Sequence, residues 1–245
     1  MTHWFRSYAL MLKWVMLSNR SWLSLNLAVQ VMIAAGFIFG ISFFYPEITP
    51  ETAKYLTTGA PTLILITVGL VMGPQMIAMM RTEGTFDYIW SLPVPRMIYI
   101  FADTTNMVVS TLPGVILAVV LGAVYFDFSL SVSWLVIPAV VLISLCGSFA
   151  GYAMAMAVPR PMMAQVLTQI IVFVVMLFSP VMFPAERLPG WLQSVHTVFP
   201  IQYMADISRG TLTDLDVNLG RAFTVVGAWF VAGLLVTWLV VRRRR

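Results

Sequence analysis

Of the 245 residues, 60% are apolar and only 10% are charged, which excludes an ordinary soluble domain, where about a quarter of the residues are charged. The net charge of +4 at pH 7 is explained more simply by membrane topology than by nucleic-acid binding, so we expect no nucleic-acid partner. The single cysteine, Cys146, excludes an intramolecular disulfide and a cysteine cluster for a metal ion.

Six uncharged stretches are each long enough to cross a membrane as a helix, which takes about 20 apolar residues. They cover residues 21–46, 55–80, 104–126, 128–159, 161–185 and 222–241. The first stretch is longer than the apolar core of a typical signal peptide and ends without a small-residue cleavage site, so we interpret it as a retained span. The sequence therefore predicts an all-α integral membrane protein with six transmembrane helices, in a single domain over residues 1–245.

The distribution of the 14 lysines and arginines predicts the orientation. A cytoplasmic N-terminus places ten of them on the cytoplasmic side and four outside. The ten are Arg6, Lys13, Arg20, Arg81, Arg96, Arg160 and residues 242–245, and the four are Lys54, Arg187, Arg209 and Arg221. Because cytoplasmic segments carry the excess of basic residues, we predict a multi-pass protein of the cell's inner (cytoplasmic) membrane with both termini in the cytoplasm.

Residues 1–19 precede the first span and form a mostly apolar segment. Arg6 and Lys13 lie seven residues apart and Arg20 continues that spacing, so the three cations fall near one helical face. Aromatic side chains suited to the lipid headgroup layer accompany them: Trp4, Phe5, Tyr8 and Trp14. We predict an interfacial helix over residues 1–19 that contacts membrane lipids; a frayed leader that only anchors the first span is the alternative.

The first span carries Asn26 and Gln30, four residues apart and therefore on one helical face. Gly36 and Gly40 follow at a spacing that lets two helices pack closely. These features predict a helix that faces protein, either its own chain or a second copy.

Glycine and proline interrupt two further spans. Gly69, Gly73 and Pro74 predict a kink in the second span, and Pro113 with Gly114 predicts another in the third. The fourth span contains small residues suited to close helix packing: Gly147, Ser148, Ala150, Gly151, Ala153 and Ala155.

Residues 81–96 form a polar, glycine-broken elbow between the second and third spans. Thr82 or Thr85 can cap a helix whose first turn contains Asp87. Pro93 with Pro95 ends it, so we predict a helix of about two turns. Its apolar residues predict an exposed face that only another protein or the lipid surface can cover: Phe86, Ile89, Trp90 and Leu92. An ordinary loop between two spans is the alternative interpretation.

Asp103 lies about two turns into the third span, where an acid is costly unless it faces water or a partner. Together with Asn26 and Gln30, it is a candidate for a substrate path; solvation in the cytoplasmic interfacial layer is the alternative. Methionines near the cytoplasmic side suit varied hydrophobic ligands, although core packing explains them equally well. They are Met11, Met16, Met72, Met76, Met79 and Met80.

Residues 184–212 predict a pair of short helices on the outer side. Trp191, Val195 and Phe199 recur every four residues and make one apolar face, Pro200 stops that helix, and Gly210 closes a second one with a left-handed cap. We predict a re-entrant hairpin that dips into the outer leaflet before the last span, rather than a plain loop. The candidate gate residues are Pro184, Pro189, Gly190, Trp191, Val195, Phe199, Pro200 and Tyr203.

The order of these elements resembles the permease subunit of type-2 ABC exporters, a family that includes daunorubicin-type drug permeases and polysaccharide exporters. The motifs that carry the resemblance are Arg81-Thr82-Glu83-Gly84-Thr85, Leu92-Pro93-Val94-Pro95-Arg96, Ser179-Pro180-Val181-Met182-Phe183-Pro184, Leu188-Pro189-Gly190-Trp191-Leu192 and Phe199-Pro200-Ile201-Gln202-Tyr203. One departure is Phe199, where the family usually has asparagine before the proline.

The resemblance implies a dimer of permeases, homomeric or heteromeric, driven by separate ABC ATPase subunits that bind the ATP and magnesium. It implies a coupling role for the elbow residues Arg81, Glu83, Gly84, Thr85, Phe86, Asp87, Ile89, Trp90 and Leu92. We expect no cofactor or metal on this chain and no ATPase site of its own, because neither Lys13 nor Lys54 follows the glycine that a phosphate loop requires. The expected substrate is small and hydrophobic or amphipathic, either drug-like or lipid-like, with glycan export as the alternative.

Other classes of membrane protein fit the sequence less well. A secondary transporter or channel would show several ionisable residues deep in its spans, whereas Asp103 is the single candidate. An intramembrane enzyme would need paired acids or a buried Ser/His pair, and we interpret Ser194 and His196 as a polar surface pair. A non-transporting scaffold is left open.

Overall fold

The computed structural model describes residues 2–44, 47–158 and 160–243, and throughout those residues the ordered structure is helical, without a strand. Its α-helices are α1 (Thr2–Ser18), α2 (Arg20–Ala35), α3 (Pro50–Thr67), α4 (Gly73–Thr82), α5 (Thr85–Ser91), α6 (Arg96–Tyr125), α7 (Val136–Ala157), α8 (Pro161–Phe178), α9 (Gly190–His196), α10 (Pro200–Leu212) and α11 (Leu219–Arg243). Met1 of the predicted interfacial helix, and Arg244 and Arg245 among the basic residues predicted to be cytoplasmic, lie outside the described residues.

Six helical stretches in the described chain are long and apolar enough to cross a membrane, which confirms the predicted fold class. They are Arg20–Gly40, Pro50–Thr82, Arg96–Tyr125, Val136–Ala157, Pro161–Phe178 and Leu219–Arg242. The second and fourth spans form the interior of the bundle, with 67% and 50% of their apolar windows buried, against 17% in the first, fifth and sixth spans.

The second span changes helical geometry where Gly69, Gly73 and Pro74 predict a distortion. Residues Val68–Met72 form a π-helical stretch that joins α3 to α4. Proline lacks the N–H that an α-helical hydrogen bond needs, so a wider turn before Pro74 accommodates the missing bond. The interruption therefore changes the hydrogen-bond pattern without ending the span.

The second and fourth spans cross with their backbones nearly in contact. A Cβ atom added to Gly69 would lie 2.7 Å from the backbone nitrogen of Ser148, and one added to Gly151 would lie 2.5 Å from the carbonyl oxygen of Gly69. The close packing predicted for the small residues of the fourth span is thus confirmed at this crossing.

The first and third spans meet at the polar residue Gln30. Helix α6 runs unbroken through Pro113, and a side chain on Gly114 would collide with Gln30. Gln30 Nε2 donates to the carbonyl oxygen of Ser110 at 3.1 Å and to Asn26 Oδ1 at 2.6 Å. Gly36, in contrast, has no atom within 4 Å of an added Cβ, so its predicted packing is not formed within the described part of this chain.

Helix α1 packs along α6 through the buried side chains of Met11 and Val15, and Tyr8 Oη lies 2.7 Å from Thr105 Oγ1. Its aromatic residues Trp4 and Phe5 remain exposed. The helix predicted at the N-terminus is confirmed, while its interfacial position stays a prediction.

Candidate functional site

The elbow between α4 and α5 reverses the chain in two residues, Glu83 and Gly84. Gly84 has φ +76°, in the left-handed region where a residue with a side chain costs about 1–2 kcal/mol. The predicted helix follows as α5, Thr85–Ser91, and Leu92 ends it with extended backbone before Pro93. The predicted short helix is confirmed, but its predicted threonine cap is wrong, because Gly84 is the N-cap residue and no side chain caps the helix.

The apolar face of α5 is not exposed, which corrects the sequence-based expectation. Phe86 is 6% and Ile89 is 5% exposed, because α5 folds back onto the core formed by α1, α4, α6 and α7. Trp90 stacks on Phe86 with ring centroids 4.1 Å apart and meets Tyr99 edge-on at 6.1 Å. Trp90 and Leu92 are half-buried, so all four apolar residues serve to anchor the helix.

The exposed surface of α5 and its leading turn is instead polar and acidic. It consists of Glu83, Gly84, Asp87, Tyr88 and Ser91. A partner protein that approaches this helix therefore meets two carboxylates and a phenol, and not an apolar stripe.

Two arginines tie the ends of the elbow to other spans. Arg81 Nη1 donates to the carbonyl oxygens of Val158 and Ala155 at 2.9 and 3.3 Å, at the end of α7. Arg96 lies 5.8 Å from the Trp90 ring and donates to the carbonyl oxygen of Val241, in α11, at 3.4 Å. A displacement of α5 would thus be passed to the fourth and sixth spans.

A cavity of about 660 Å³ lies beside the elbow, between the first, second and third spans and the start of α8. Asn26 and Asp103 line it, whereas Gln30 reaches it only through its hydrogen bond to Asn26. Four of the six methionines noted in the sequence line it, namely Met16, Met72, Met76 and Met79. The other two, Met11 and Met80, belong to the core of the bundle near α5.

Asp103 is 4% exposed and accepts a hydrogen bond from Tyr152 Oη, so protein covers it and the alternative of an acid in the open interfacial layer is wrong. A second cavity of about 210 Å³ shares Asp103 with the larger one and extends to Glu83 and Thr85 of the elbow. The acid thus lies where the smaller cavity, which reaches the elbow, meets the larger one.

The two short helices predicted within residues 184–212 form at the opposite end of the bundle, as α9 and α10, while the re-entry of this hairpin into the outer leaflet stays a prediction. Trp191 is 68% exposed, and Val195 and Phe199 are exposed on the same face, as their spacing predicts. Phe199 nonetheless stacks on Trp229 with ring centroids 5.8 Å apart. The buried Tyr203 donates from Oη to the carbonyl oxygen of Thr197 at 2.9 Å.

Two expectations in this hairpin are wrong. His196 is buried and its Nε2 lies 2.8 Å from the carbonyl oxygen of Phe178, so it does not form a surface pair with Ser194. Helix α10 continues through Gly210 to Leu212, and Gly210 does not adopt a left-handed cap. An added Cβ there would lie 2.8 Å from Leu219 Cδ2, so this glycine allows the chain to pack closely as it returns to α11.

Arg209 is buried, although charge counting from the sequence treats it only as one of the cations on the outer side. It is 3% exposed; it donates to Asp206 Oδ1 at 2.8 Å and to the carbonyl oxygens of Pro180 and Val181 at 2.7 and 2.6 Å. Its guanidinium lies 4.3 Å from the Tyr55 ring. The spacing of Asp206 and Arg209, on one face of α10, is the sequence signal that could have found this pair.

Burial and the attraction between the charges shift the pKa values of Asp206 and Arg209 in opposite directions. Burial lowers the pKa of Arg209 and raises the pKa of Asp206, because it disfavours the charged form of each group. The attraction between the two charges opposes both shifts. The pair therefore holds its charges through mutual contact rather than through water.

Comparison with known proteins now identifies the family. The sequence model of the ABC-2 type transporter family matches residues 8–213, which include the elbow, both cavities and the α9–α10 hairpin. No individually curated protein gives a significant match. Because the match covers most of the chain, the chain belongs to the ABC-2 type transporter family and is the membrane-spanning permease subunit of an ABC transporter whose ATPase is a separate subunit.

Proposed function

We propose that this permease exports a small amphipathic or hydrophobic molecule, drug-like or lipid-like, outward across the cytoplasmic membrane. ATP and magnesium are bound by the partner ATPase subunit, which docks on α5. The observation that carries the proposal is how α5 is held in the structure. This short helix buries its apolar face, is connected to other spans by hydrogen bonds at both ends of the elbow, and lies next to a cavity.

Docking is supported by the division between the two faces of α5. Phe86 and Ile89 fix the helix to the bundle, while Asp87 and Tyr88 point away from it. A rigid helix transmits a push from a partner better than a loop, and exposed carboxylates favour a partner surface that carries basic residues.

Export of a small amphipathic molecule is supported by the cavity next to α5. Its volume of about 660 Å³ lies within the range of roughly 300–1,000 Å³ typical of small-ligand sites. Flexible methionines on its wall adapt to differently shaped apolar ligands, and Asn26 and Asp103 supply polar contacts. A pocket of this size and lining favours a drug-like or lipid-like substrate over a glycan chain.

The α9–α10 hairpin is our candidate for the exit gate. Trp191 and Val195 present an apolar surface that the described part of the chain leaves uncovered, and the helix that carries them begins after Pro189, at Gly190. Pro184 and Pro200 bound this segment. Bilayer lipid or the second permease would cover the apolar surface.

A second permease copy, identical or homologous, completes the transporter in this proposal. The first and fifth spans offer large exposed apolar side chains for it, including Leu23 and Met32 on α2 and Val166 and Phe173 on α8. A single copy leaves these faces to lipid.

The test is a pair of substitutions on the exposed face of α5, Asp87→Arg and Tyr88→Ala, with Asp216→Arg at the opposite end as the matched control. The permease is co-expressed with an ABC ATPase subunit that co-purifies with the wild-type chain. We expect both α5 variants to keep the wild-type melting temperature but to lose ATPase co-purification, substrate-stimulated ATP hydrolysis and dye efflux from vesicles. Wild-type behaviour of both variants would show that α5 does not couple the ATPase to transport.

A further inference from the structure

Asp103 begins a row of cavity-lining residues on one face of α6. Asn106, Met107, Ser110 and Pro113 follow it at helical spacing, and all of them line the larger cavity. Ten positions separate Asp103 from Pro113, which corresponds to about 15 Å along the helix at 1.5 Å per residue. The cavity is therefore elongated, with an acid near the α5 end and a mostly apolar wall beyond it.

Among the described side chains, the contact that Asp103 makes is with a neutral group. Tyr152 donates a hydrogen bond to Asp103. The ion pairs among the described residues, Lys54–Asp214 and Asp206–Arg209, both lie at the opposite end of the bundle. The other ionisable residues that line the two cavities are Arg20, Glu83 and Tyr99. Arg20 is exposed at the start of α2, whereas Asp103 is buried.

A carboxylate buried at this depth is costly unless a partner neutralises it. A cationic ligand would supply that partner, and the methionines and Pro113 would cover its apolar part. An anionic ligand of the same size would add a second negative charge next to Asp103.

We infer that the cavity selects amphipathic organic cations, with the cationic group against Asp103 and Asn106 and the apolar part directed along α6 toward Pro113. The inference rests on the proposed export function only where it calls the bound cation a substrate. Binding itself requires no ATPase subunit.

The test compares two ions of nearly the same shape and opposite charge, tetraphenylphosphonium and tetraphenylborate. Equilibrium binding is measured to the full chain in phosphatidylcholine nanodiscs, and binding to empty nanodiscs is subtracted. We expect saturable binding of the cation, weakened roughly tenfold or more by Asp103→Asn, which corresponds to the loss of one modest ionic contact. Asp216→Asn, an equal change of charge on an exposed residue at the opposite end, should leave binding unchanged.

Two further variants separate charge from folding. Asp103→Glu keeps the carboxylate, and Tyr152→Phe removes the hydrogen bond but leaves the charge, so both should retain the preference for the cation. Equal binding of the two ions by the wild type, or wild-type cation binding by Asp103→Asn, would overturn the inference. Selective binding without ATP-driven transport would instead leave the cation site standing and refute the export function.

Discussion

Arg209 donates from Nη2 to the carbonyl oxygen of Val181 at 2.6 Å and so joins α10 to the turn that follows the fifth span. The same carbonyl oxygen would lie 2.8 Å from a Cβ atom added to Gly59, so the turn is held between α10 and the second span. One buried guanidinium thus connects three separate parts of the chain at the end opposite α5.

Replacement of Arg209 by methionine should destabilise the protein strongly. The variant leaves Asp206 and two backbone carbonyls without their donor, and breaking a buried ion pair in this way costs about 3–5 kcal/mol. Lys54→Met is the matched control, because Asp214 in the Lys54–Asp214 pair at the same end is largely exposed and the pair should contribute little. Thermal unfolding in mild detergent measures both; equal melting temperatures of the two variants would contradict the prediction.

The loss of stability caused by Arg209→Met, relative to the wild type, should become smaller as the pH falls. Burial raises the pKa of Asp206 in the folded protein, and Arg209 opposes that rise, so the variant raises this pKa further. A folded-state pKa above the unfolded value means that the folded protein binds the proton more tightly, and stability is gained as pH falls through the folded-state pKa. The melting temperatures of the variant and the wild type are compared at about pH 7.5 and about pH 5. A difference that is larger at the lower pH would contradict the prediction.

The spans could be predicted because membrane insertion depends on local composition, which a single sequence displays. What covers an apolar helix face, in contrast, depends on residues far away in the sequence. Phe86 and Ile89 have the spacing of a docking face, yet α5 folds back and buries them within its own chain. Spacing identifies such a face but does not distinguish an internal partner from an external one.

Buried polar contacts were hidden from sequence reasoning for a similar reason. Asp103 meets Tyr152, and Arg209 meets Pro180 and Val181, although the partners are far apart along the chain. The cavity likewise depends on how the first three spans diverge, and the hydrophobic periodicity of a sequence does not predict this.

The crossing of the second and fourth spans should not tolerate one added methyl group. Gly69→Ala would place Cβ 2.7 Å from the backbone nitrogen of Ser148, and overpacking of this kind costs roughly 1–3 kcal/mol. Gly36→Ala is the control, since nothing lies within 4 Å of its Cβ. Thermal unfolding of the two variants should separate them, and an unchanged melting temperature for Gly69→Ala would show that the spans can move apart at little cost.

The two faces of α9 should respond differently to a charge. Leu192 is buried, so Leu192→Asp should lower the melting temperature, whereas the exposed Trp191 should tolerate Trp191→Asp without loss of stability. If the hairpin gates the exit, Trp191→Asp should still impair export while the ATPase subunit co-purifies normally. Normal dye efflux by that variant would show that the hairpin does not gate the exit.

The orientation of the bundle can be determined with single cysteines in a Cys146→Ala background. Ser91 on α5 and Ser194 on α9 are both exposed and lie at opposite ends of the bundle, so each can be replaced by cysteine without opening the core. The excess of basic residues at the α5 end predicts that a membrane-impermeant maleimide added to intact cells labels only the Ser194→Cys variant. The Ser91→Cys variant should react only after permeabilisation, and the cysteine-free background should not react at all. Labelling of Ser91→Cys in intact cells would place α5 outside, away from cytoplasmic ATP, and would remove the basis for its role in coupling.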